Sequence, residues 1–347
     1  MIESSSLPPS AELQSEPLPM PVRSFGRVAR SVIGYGLLVG LMCVSVMVVF
    51  VPAALIHCAL RNGRRAAWLA LAIAIAADAT YFGLSAPGAP DVWTYFAAVI
   101  LAIALPAMAA LPLVERGVSF GRVLVFLLVG ATIGLAATEA GSLTLTSYSP
   151  YAGQVVQAKH FAAELVNYYR TNGMQADVIR AVEQTMGYTL FVLPAGMLVQ
   201  LSFMFVLSLM MVGRLKTWRD HVARRGESES AGVYLFRYLS LPDWLLFGFI
   251  LGGLTPIAHG MLQKIAANVL TVVVFLYVLQ GLAIFRYMLV TVGAGFIATL
   301  LGWALLGLLT VTGIGPLLLG LAGLFDPFFD FRHFKKRKDD SHESHSD

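Results

Sequence analysis

The chain has 347 residues, of which 57% are hydrophobic and only 13% are charged. A soluble domain is nearer a quarter charged, and the apolar residues here lie in runs of about 20, the length that crosses a bilayer core. The composition therefore excludes an ordinary soluble protein, and the lack of short alternating segments excludes a β-barrel. The net charge of +4 does not indicate nucleic-acid binding, because the basic residues cluster in short loops beside apolar runs, as orientation signals do.

In chain order, residues 1–30 are predicted to be a disordered cytoplasmic tail, since the first 22 are rich in Ser, Pro and Glu. A transmembrane domain over 31–332 follows, and 333–347 form a second cytoplasmic tail. We expect an all-α, polytopic helical membrane protein with about eight to ten membrane segments. The predicted apolar segments are 32–60, 66–84, 93–114, 123–138, 188–212, 243–260, 266–285, 288–311 and 315–330.

Basic residues occupy alternate connections between these segments. They lie in 61–65, in 115–122, in the long loop 213–241, at Arg286 and in 332–338. Cytoplasmic loops carry an excess of Lys and Arg, so all of these are placed in the cytoplasm. This assignment gives eight crossings from residue 61 to a cytoplasmic C-terminus, in a multi-pass protein of the bacterial inner membrane.

The first segment does not fit this alternation. Its 29 residues would make about 43 Å of helix, too long for one upright span and too short for two. Pro52 is expected to break the helix near Phe50, which favours a broken, re-entrant hairpin over a single steeply tilted helix with an external N-terminus. Gly36 and Gly40 form a Gly-x-x-x-Gly motif that marks either internal helix packing or a docking face for another membrane protein.

The loop 140–187 is expected on the extracytoplasmic side and to contain a pair of amphipathic helices. Phe161, Leu165 and Tyr168 form one apolar stripe at helical spacing, and Val178, Val182 and Met186 form another. Thr171-Asn-Gly173 is typical of the turn between the two helices. Such a pair is either a cap packed on the helical bundle or a lid over a pocket.

Catalytic signatures are absent from the sequence. We find no Gly-x4-Gly-Lys-Ser/Thr loop for phosphates, no His-Glu-x-x-His or Cys-x-x-Cys pair for a metal, and no Gly-x-Ser-x-Gly nucleophile turn. An enzyme is therefore not expected, and no catalytic residue, metal ligand or cofactor is predicted. Cys43 and Cys58 are interpreted as small core residues.

Polar residues at the ends of apolar segments are the candidates for binding, because a buried polar group in a membrane needs a partner or a cavity. Alternation places five of them near one membrane face, the extracytoplasmic one. They either line a substrate pocket or are hydrated interfacial groups. These candidates are Asp78, Tyr81, Glu139, His259 and Lys264. Two mid-span amides, Gln200 and Gln280, are expected to hydrogen-bond between helices.

The chain ends its last segment with Gly323-Leu-Phe-Asp-Pro-Phe-Phe-Asp-Phe-Arg332. Asp326 precedes a proline, which suits a turn or a helix start, and Asp330 is expected to pair with Arg332. The phenylalanines, including Phe331, are expected to form an interfacial aromatic belt beside a basic run that meets anionic lipid. Charge alternation makes this motif a cytoplasmic anchor or partner-docking edge.

These residues carry a resemblance to a known family. The Gly323 to Arg332 ending resembles the terminal signature of the YybS-like bacterial membrane proteins, known as domain of unknown function 2232. Arg61-Asn-Gly63 is similar to that family's Arg-x-Gly turn, and the amphipathic pair leading into Leu193-Pro194 resembles its external helical loop. The resemblance covers most of 33–332, although the stretch between Gly36 and Pro52 is shorter here.

That family is in turn distantly similar to the substrate-binding S-components of energy-coupling-factor transporters. The resemblance implies small-solute binding or uptake in an outward pocket, with a separate transmembrane coupling subunit and ATPases as partners in the bilayer. The alternative is a non-transporting scaffold or regulatory protein that acts through its basic 213–241 loop. Neither reading involves nucleic acid.

Overall fold

The computed structural model describes residues 25–86, 88–226, 232–329 and 331–332. Within these ranges the chain is helical and contains no strand, so the predicted all-α polytopic class is confirmed. Five helices of the described chain are long and apolar enough to cross a membrane, and a bent helix pair makes a sixth if it is counted as one span. All of these spans lie after residue 61, so the described chain has five or six spans there rather than the eight expected crossings. The helices within the predicted segments 243–260, 288–311 and 315–330 are each too short to be counted alone.

The first apolar segment folds back on itself. Its elements are α1 (Phe25–Cys43), a 3-10 turn (Val46–Phe50) and α2 (Val51–Asn62). The Asn62 side-chain amide donates to Ser31 Oγ at 3.1 Å, so the two ends of the segment lie side by side. Pro52 lies in the first turn of α2, where its missing N–H costs no hydrogen bond. The predicted re-entrant hairpin and its break near Phe50 are therefore confirmed.

The glycine motif of α1 packs against α3 (Arg64–Ser85). A Cβ added at Gly36 would lie 2.7 Å from the Ile73 Cβ, and one added at Gly40 would lie 3.0 Å from Asp78 Oδ1. The glycines thus allow two helix backbones within the chain to approach closely. The motif therefore serves internal helix packing in this structure, which is one of the two expected roles.

Three further spans surround this hairpin. The elements are α4 (Pro90–Val99), a π-helical turn (Ile100–Ala104), α5 (Leu105–Glu115), α6 (Phe120–Thr146) and α9 (Leu193–Arg214). α4, the π turn and α5 form one continuous span over 90–115. Phe120, Leu124 and Phe205 are fully buried among them and belong to the main apolar core. The core therefore lies inside this group of spans and the hairpin.

The amphipathic pair is present as α7 (Pro150–Thr171) and α8 (Ala176–Phe191). The turn falls at the predicted position, with Asn172 after α7 and Gly173 at φ 70°. Neither helix buries a residue, and Phe161 and Tyr168 on the apolar stripe stay exposed. Of the two alternatives, the described pair does not form a packed cap; the two helices contact each other, α7 contacts α6 and α8 contacts α9.

The basic loop after α9 is folded onto the bundle. It contains α10 (Lys216–Arg224), which buries Trp218 and Val222, and a 3-10 turn at Phe236–Tyr238. Tyr234 is fully buried, and its hydroxyl donates to the Val118 carbonyl oxygen at 3.1 Å. Burial raises the pKa of the Tyr234 phenol above its ordinary value, so the hydroxyl stays protonated and able to donate.

The predicted span 243–260 is largely non-helical. Its only helix is α11 (Leu245–Gly252), whose eight residues are about 12 Å long, and turns follow as far as Ile257. Gly252 and Gly253 weaken the helix there, and Pro256 cannot continue it. The segment nevertheless packs along the next helix, where a Cβ at Gly252 would lie 2.7 Å from the Leu270 Cβ.

The last three helices correct two predicted boundaries. They are α12 (Gly260–Thr291), α13 (Phe296–Val311) and α14 (Ile314–Phe329). α12 continues through Arg286, which was assigned to a loop, and the break comes at Gly293 with φ 68°. α13 and α14 are bent by 108° at the break between them, so this pair is a broken or re-entrant element rather than two straight crossings.

Direct contacts sort the connections into two ends of the bundle. At the basic end, Arg64 Nε donates to Glu115 Oε2 at 2.7 Å, and Arg225 donates to the Glu115 carbonyl. Arg332 joins the same end by donating to the Leu239 carbonyl. At the opposite end, called the cleft end below, Glu139 and Lys264 both contact Tyr151.

Candidate functional site

A cleft of about 410 Å³ opens at the cleft end, between α4, α6 and the first turns of α7 and α9. Most of the surface that lines it is apolar, because the rings and alkyl groups of its polar residues add to its apolar side chains, and such a surface is usual in a small-molecule site. The apolar lining includes Ala98, Leu135, Ala136, Pro194, Met197 and Leu198. The polar lining includes Asp91, Thr94, Tyr95, Thr132, Thr138, Glu139, Tyr148, Tyr151, Gln154 and Gln157.

Glu139 fixes the wall that α7 contributes. Its carboxylate accepts a hydrogen bond from the Ser149 hydroxyl and another from the Tyr151 backbone N–H at 3.0 Å. Ser149 is the N-cap of α7 and accepts from Ala152 N at 3.0 Å. A carboxylate at a helix N-terminus is favoured by the helix dipole and satisfies N–H groups that have no partner within the helix. Glu139 therefore joins the end of α6 to the beginning of α7.

Lys264, in the first turns of α12, reaches the same wall. Its Nζ lies 3.5 Å from Tyr151 Oη and 5.7 Å from the centre of that ring. The Lys264 ammonium group therefore contacts Tyr151, which lines the cleft, but does not itself line the cleft. Asn268, one turn further along α12, accepts from Ala195 N at 2.8 Å and holds the beginning of α9.

Most hydroxyl groups of the cleft already form hydrogen bonds within the protein. Thr94 Oγ1 donates to Pro90 O at 2.6 Å, and Tyr95 Oη donates to Cys43 O at 3.1 Å. Thr132 and Thr138 likewise donate to carbonyls of their own helix. By contrast, among the described residues no protein group hydrogen-bonds the side chains of Asp91, Gln154 or Gln157, which leaves them free to bind a ligand.

The structure brings together only part of the predicted polar set. Glu139 lines the cleft and Lys264 supports it, but Asp78, Tyr81 and His259 lie elsewhere. Asp78 is 4% exposed and faces Gly40 across the α1–α3 contact. Tyr81 is exposed beside Phe82, and His259 is exposed just before α12.

Sequence reasoning missed Asp91, Gln154 and Gln157. Asp91 carries a weak signal, since it follows Pro90 at a helix start, where acidic residues are common. Gln154 and Gln157 are three residues apart on α7 and so share one side of that helix. That these two glutamines line the same cleft as Asp91 on α4 depends on how the helices pack, and the residue pattern of a single helix does not specify that packing.

The C-terminal motif forms a buried polar network at the basic end. Asp326 is 8% exposed, accepts from Gln280 Nε2 at 2.9 Å and faces Arg332 Nε at 3.6 Å. Gln280 Oε1 in turn accepts from Leu241 N at 3.1 Å. The expected interhelical role of Gln280 is confirmed, whereas Gln200 lies exposed on α9.

One expectation about this motif is corrected. α14 runs through Pro327, so Asp326 is neither in a turn nor at a helix start. Arg332 faces the Asp326 carboxylate, while its expected pairing with Asp330 falls outside the described residues and stays a prediction. Phe325, Phe328 and Phe329 are exposed as an aromatic belt requires, and the Phe331 ring packs on that of Phe329 with centroids 5.8 Å apart.

No group of three His, Cys, Asp or Glu side chains that could hold a metal occurs in the described part of the chain. A family profile described as "Predicted membrane protein (DUF2232)" matches residues 34–327. No curated protein and no solved structure matches the chain.

Proposed function

This chain belongs to the DUF2232 family of predicted membrane proteins, and from that premise we propose that it binds a small solute in the cleft between α4, α6, α7 and α9. The observation that carries the proposal is the cleft itself. It has the volume of a small-molecule site, largely apolar walls and three polar side chains without a protein partner in the described chain.

The solute that fits this lining is small, partly apolar and able to donate hydrogen bonds. Asp91 accepts hydrogen bonds and favours a donor or a cationic group, while Gln154 and Gln157 can donate or accept. The apolar side of the solute would pack against Leu135, Met197 and neighbouring residues. These features correspond to a metabolite of vitamin or amine type more closely than to an inorganic anion.

We further propose that the protein takes part in uptake of the bound solute. We place the basic end in the cytoplasm of a bacterial inner membrane, on the basis of the positive-inside rule, so that the cleft opens outward. The distant similarity to S-components that the sequence resemblance implies is our reason to propose that a separate coupling subunit and ATPases supply the energy. Co-purification of the tagged full chain with an ATPase subunit is the outcome expected from this arrangement.

Binding can be tested on the purified full chain by native mass spectrometry and a thermal-shift screen across water-soluble vitamins, amines and metal cations. We expect an organic compound to be retained or to raise the unfolding temperature. The variants Asp91→Asn and Gln154→Ala/Gln157→Ala should weaken its binding about tenfold. The first removes the negative charge and one acceptor oxygen, the second removes two amides, and either loss is worth roughly 1–2 kcal/mol. Gln184→Ala, on the exposed surface of α8, is the matched control. A screen without a hit, or a hit unaffected by the cleft variants, would contradict the proposal.

The scaffold alternative depends on the exposed basic side of α10. Arg219 and Arg224 are exposed there, while Trp218 anchors the helix to the bundle. A cytoplasmic partner that is captured by the full chain and lost in Arg219→Ala/Arg224→Ala would favour this alternative. Unchanged partners would leave solute binding as the better account.

A further inference from the structure

A second cavity, of about 440 Å³, lies at the basic end among α9, the 3-10 turn Phe236–Tyr238, α12 and α13. Three arginines from three different elements line it. Arg214 ends α9, Arg237 lies in the 3-10 turn, and Arg286 lies in α12. The cavity is separate from the solute cleft, which is at the other end of the bundle.

The charges in this arginine cavity are not balanced by the described protein. None of the lining residues is acidic, and no described carboxylate forms an ion pair with Arg214, Arg237 or Arg286. Arg237 Nε is a buried atom without a hydrogen-bond acceptor in the described chain, although its guanidinium stacks 4.8 Å from the centre of the Tyr238 ring. Three like charges around one cavity repel each other, and a bound anion would relieve that repulsion.

The remaining lining indicates which anion fits. Met210, Val290 and Trp303 give the cavity an apolar side next to its arginines. Trp303, on α13, packs edge-on against Phe285 with ring centroids 5.3 Å apart, so this wall is held by the helix that carries Arg286. An apolar wall beside a cluster of arginines, at the ends of membrane helices, is the setting in which lipid headgroups bind.

We propose that the arginine cavity binds a phosphate-bearing anion, of which the headgroup of an anionic phospholipid and free phosphate are the two possible sources. The planar guanidinium group donates two parallel hydrogen bonds to phosphate oxygens, and arginine is preferred to lysine where such bidentate contacts are made. The lipid would place its phosphate among Arg214, Arg237 and Arg286 and its acyl chains along the apolar wall.

The lipid arm of the test uses the full chain in detergent with mixed micelles of phosphatidylglycerol and phosphatidylcholine. Native mass spectrometry should show preferential retention of phosphatidylglycerol. Each of Arg214→Gln and Arg286→Gln should lower that retention about fivefold, the effect of one basic residue near an anionic lipid. Arg214 is exposed at a helix end, so its replacement should not disturb folding.

Arg219→Gln is the matched control, because it removes an equal charge from the exposed side of α10 outside the cavity. A loss of retention as large in this control as in the cavity variants would overturn the proposal, since it would show only a general surface charge. Equal retention of both lipids, with no protection by phosphate, would overturn it as well.

The second arm measures thermal protection by inorganic phosphate. Protection that is lost in Arg286→Gln but kept in Arg219→Gln supports the site and assigns it to a soluble phosphate. Retention of phosphatidylglycerol without protection by inorganic phosphate supports the site and assigns it to a lipid. Arg286→Lys keeps the charge but loses the bidentate geometry, and we expect it to bind more weakly than the native chain in either arm.

Discussion

Gln280 holds together three separate parts of the chain at the basic end. Its carbonyl accepts from the backbone of Leu241, and its amide donates to the carboxylate of Asp326, which also faces Arg332. The side chain is only 1% exposed, so water does not replace these contacts. The aspartate and arginine of the C-terminal motif thus fasten α14 to α12 and to the segment that follows the basic loop.

Replacing Gln280 should expose the importance of this network. In Gln280→Leu, the Leu241 N–H and the Asp326 carboxylate lose a buried partner, which costs about 1–3 kcal/mol of unfolding free energy. We expect a clearly lower midpoint of thermal unfolding for the purified protein in detergent. Gln200→Leu makes the same chemical change on an exposed face of α9 and should leave the midpoint nearly unchanged. Equal midpoints for the two variants would show that the network contributes nothing.

The residues differ in how far the sequence alone could identify them. Gln280 was expected to bond between helices because a lone amide inside an apolar helix needs a partner. Asp326 was assigned to a turn or helix start because it precedes a proline, but α14 continues through Pro327. Asp91 has only the weak signal of an acidic residue after Pro90 at a helix start, and Gln157 lies on an exposed amphipathic helix, so the local sequence does not distinguish either from a solvated position.

At the scale of helices, close glycine contacts set the packing of α14 on α12. A Cβ added at Gly281 would overlap the Leu319 carbonyl, and one added at Gly323 would overlap the Tyr277 carbonyl. Within a membrane, helices associate by close packing and hydrogen bonds rather than by the hydrophobic effect, so small residues at the contact matter most. Gly323, at the beginning of the C-terminal motif, is therefore a packing residue.

Alanine at either glycine should push these helices apart. We expect Gly281→Ala or Gly323→Ala to destabilise the protein by about 2 kcal/mol or more, because the overlap is with backbone that cannot rotate away. Gly307→Ala, at a position on α13 with nothing within 4 Å of the added Cβ, should be neutral or slightly stabilising. The measurement is thermal unfolding in detergent, and a neutral Gly323→Ala would rule out this account of the motif.

Element boundaries were predictable where proline or a Gly-containing turn fixes them. Pro52 marks the beginning of α2, and Thr171-Asn-Gly173 marks the α7–α8 turn. The boundary after α12 was misplaced because Arg286 looks like a loop residue in an apolar sequence. In the structure its side chain lines the arginine cavity, so the helix can continue through a charged residue.

At the scale of the whole molecule, the contacts separate a basic end from a cleft end. Ser31 and Asn62 meet at one end of the hairpin, Arg64 pairs with Glu115, and Arg332 binds the Leu239 carbonyl. The chain therefore enters and leaves the bundle at the basic end. This resolves the first segment, whose length alone allowed either a hairpin or a single tilted span.

The two ends lead to a prediction about topology in the cell. Tags at residue 2 and residue 347 should both be accessible only from the cytoplasm, because the described chain begins and ends at the basic end and basic loops stay inside. A tag inserted between Asn172 and Gly173, in the α7–α8 turn, should be accessible only from outside. A tag after Gly226, next to the arginines of α10, provides the cytoplasmic reference. Accessibility can be measured with a protease or an impermeant label on intact and opened cells. Finding the tag at residue 2 outside while the tag at residue 347 stays inside would mean that the first segment crosses the membrane once, and the hairpin would then be wrong.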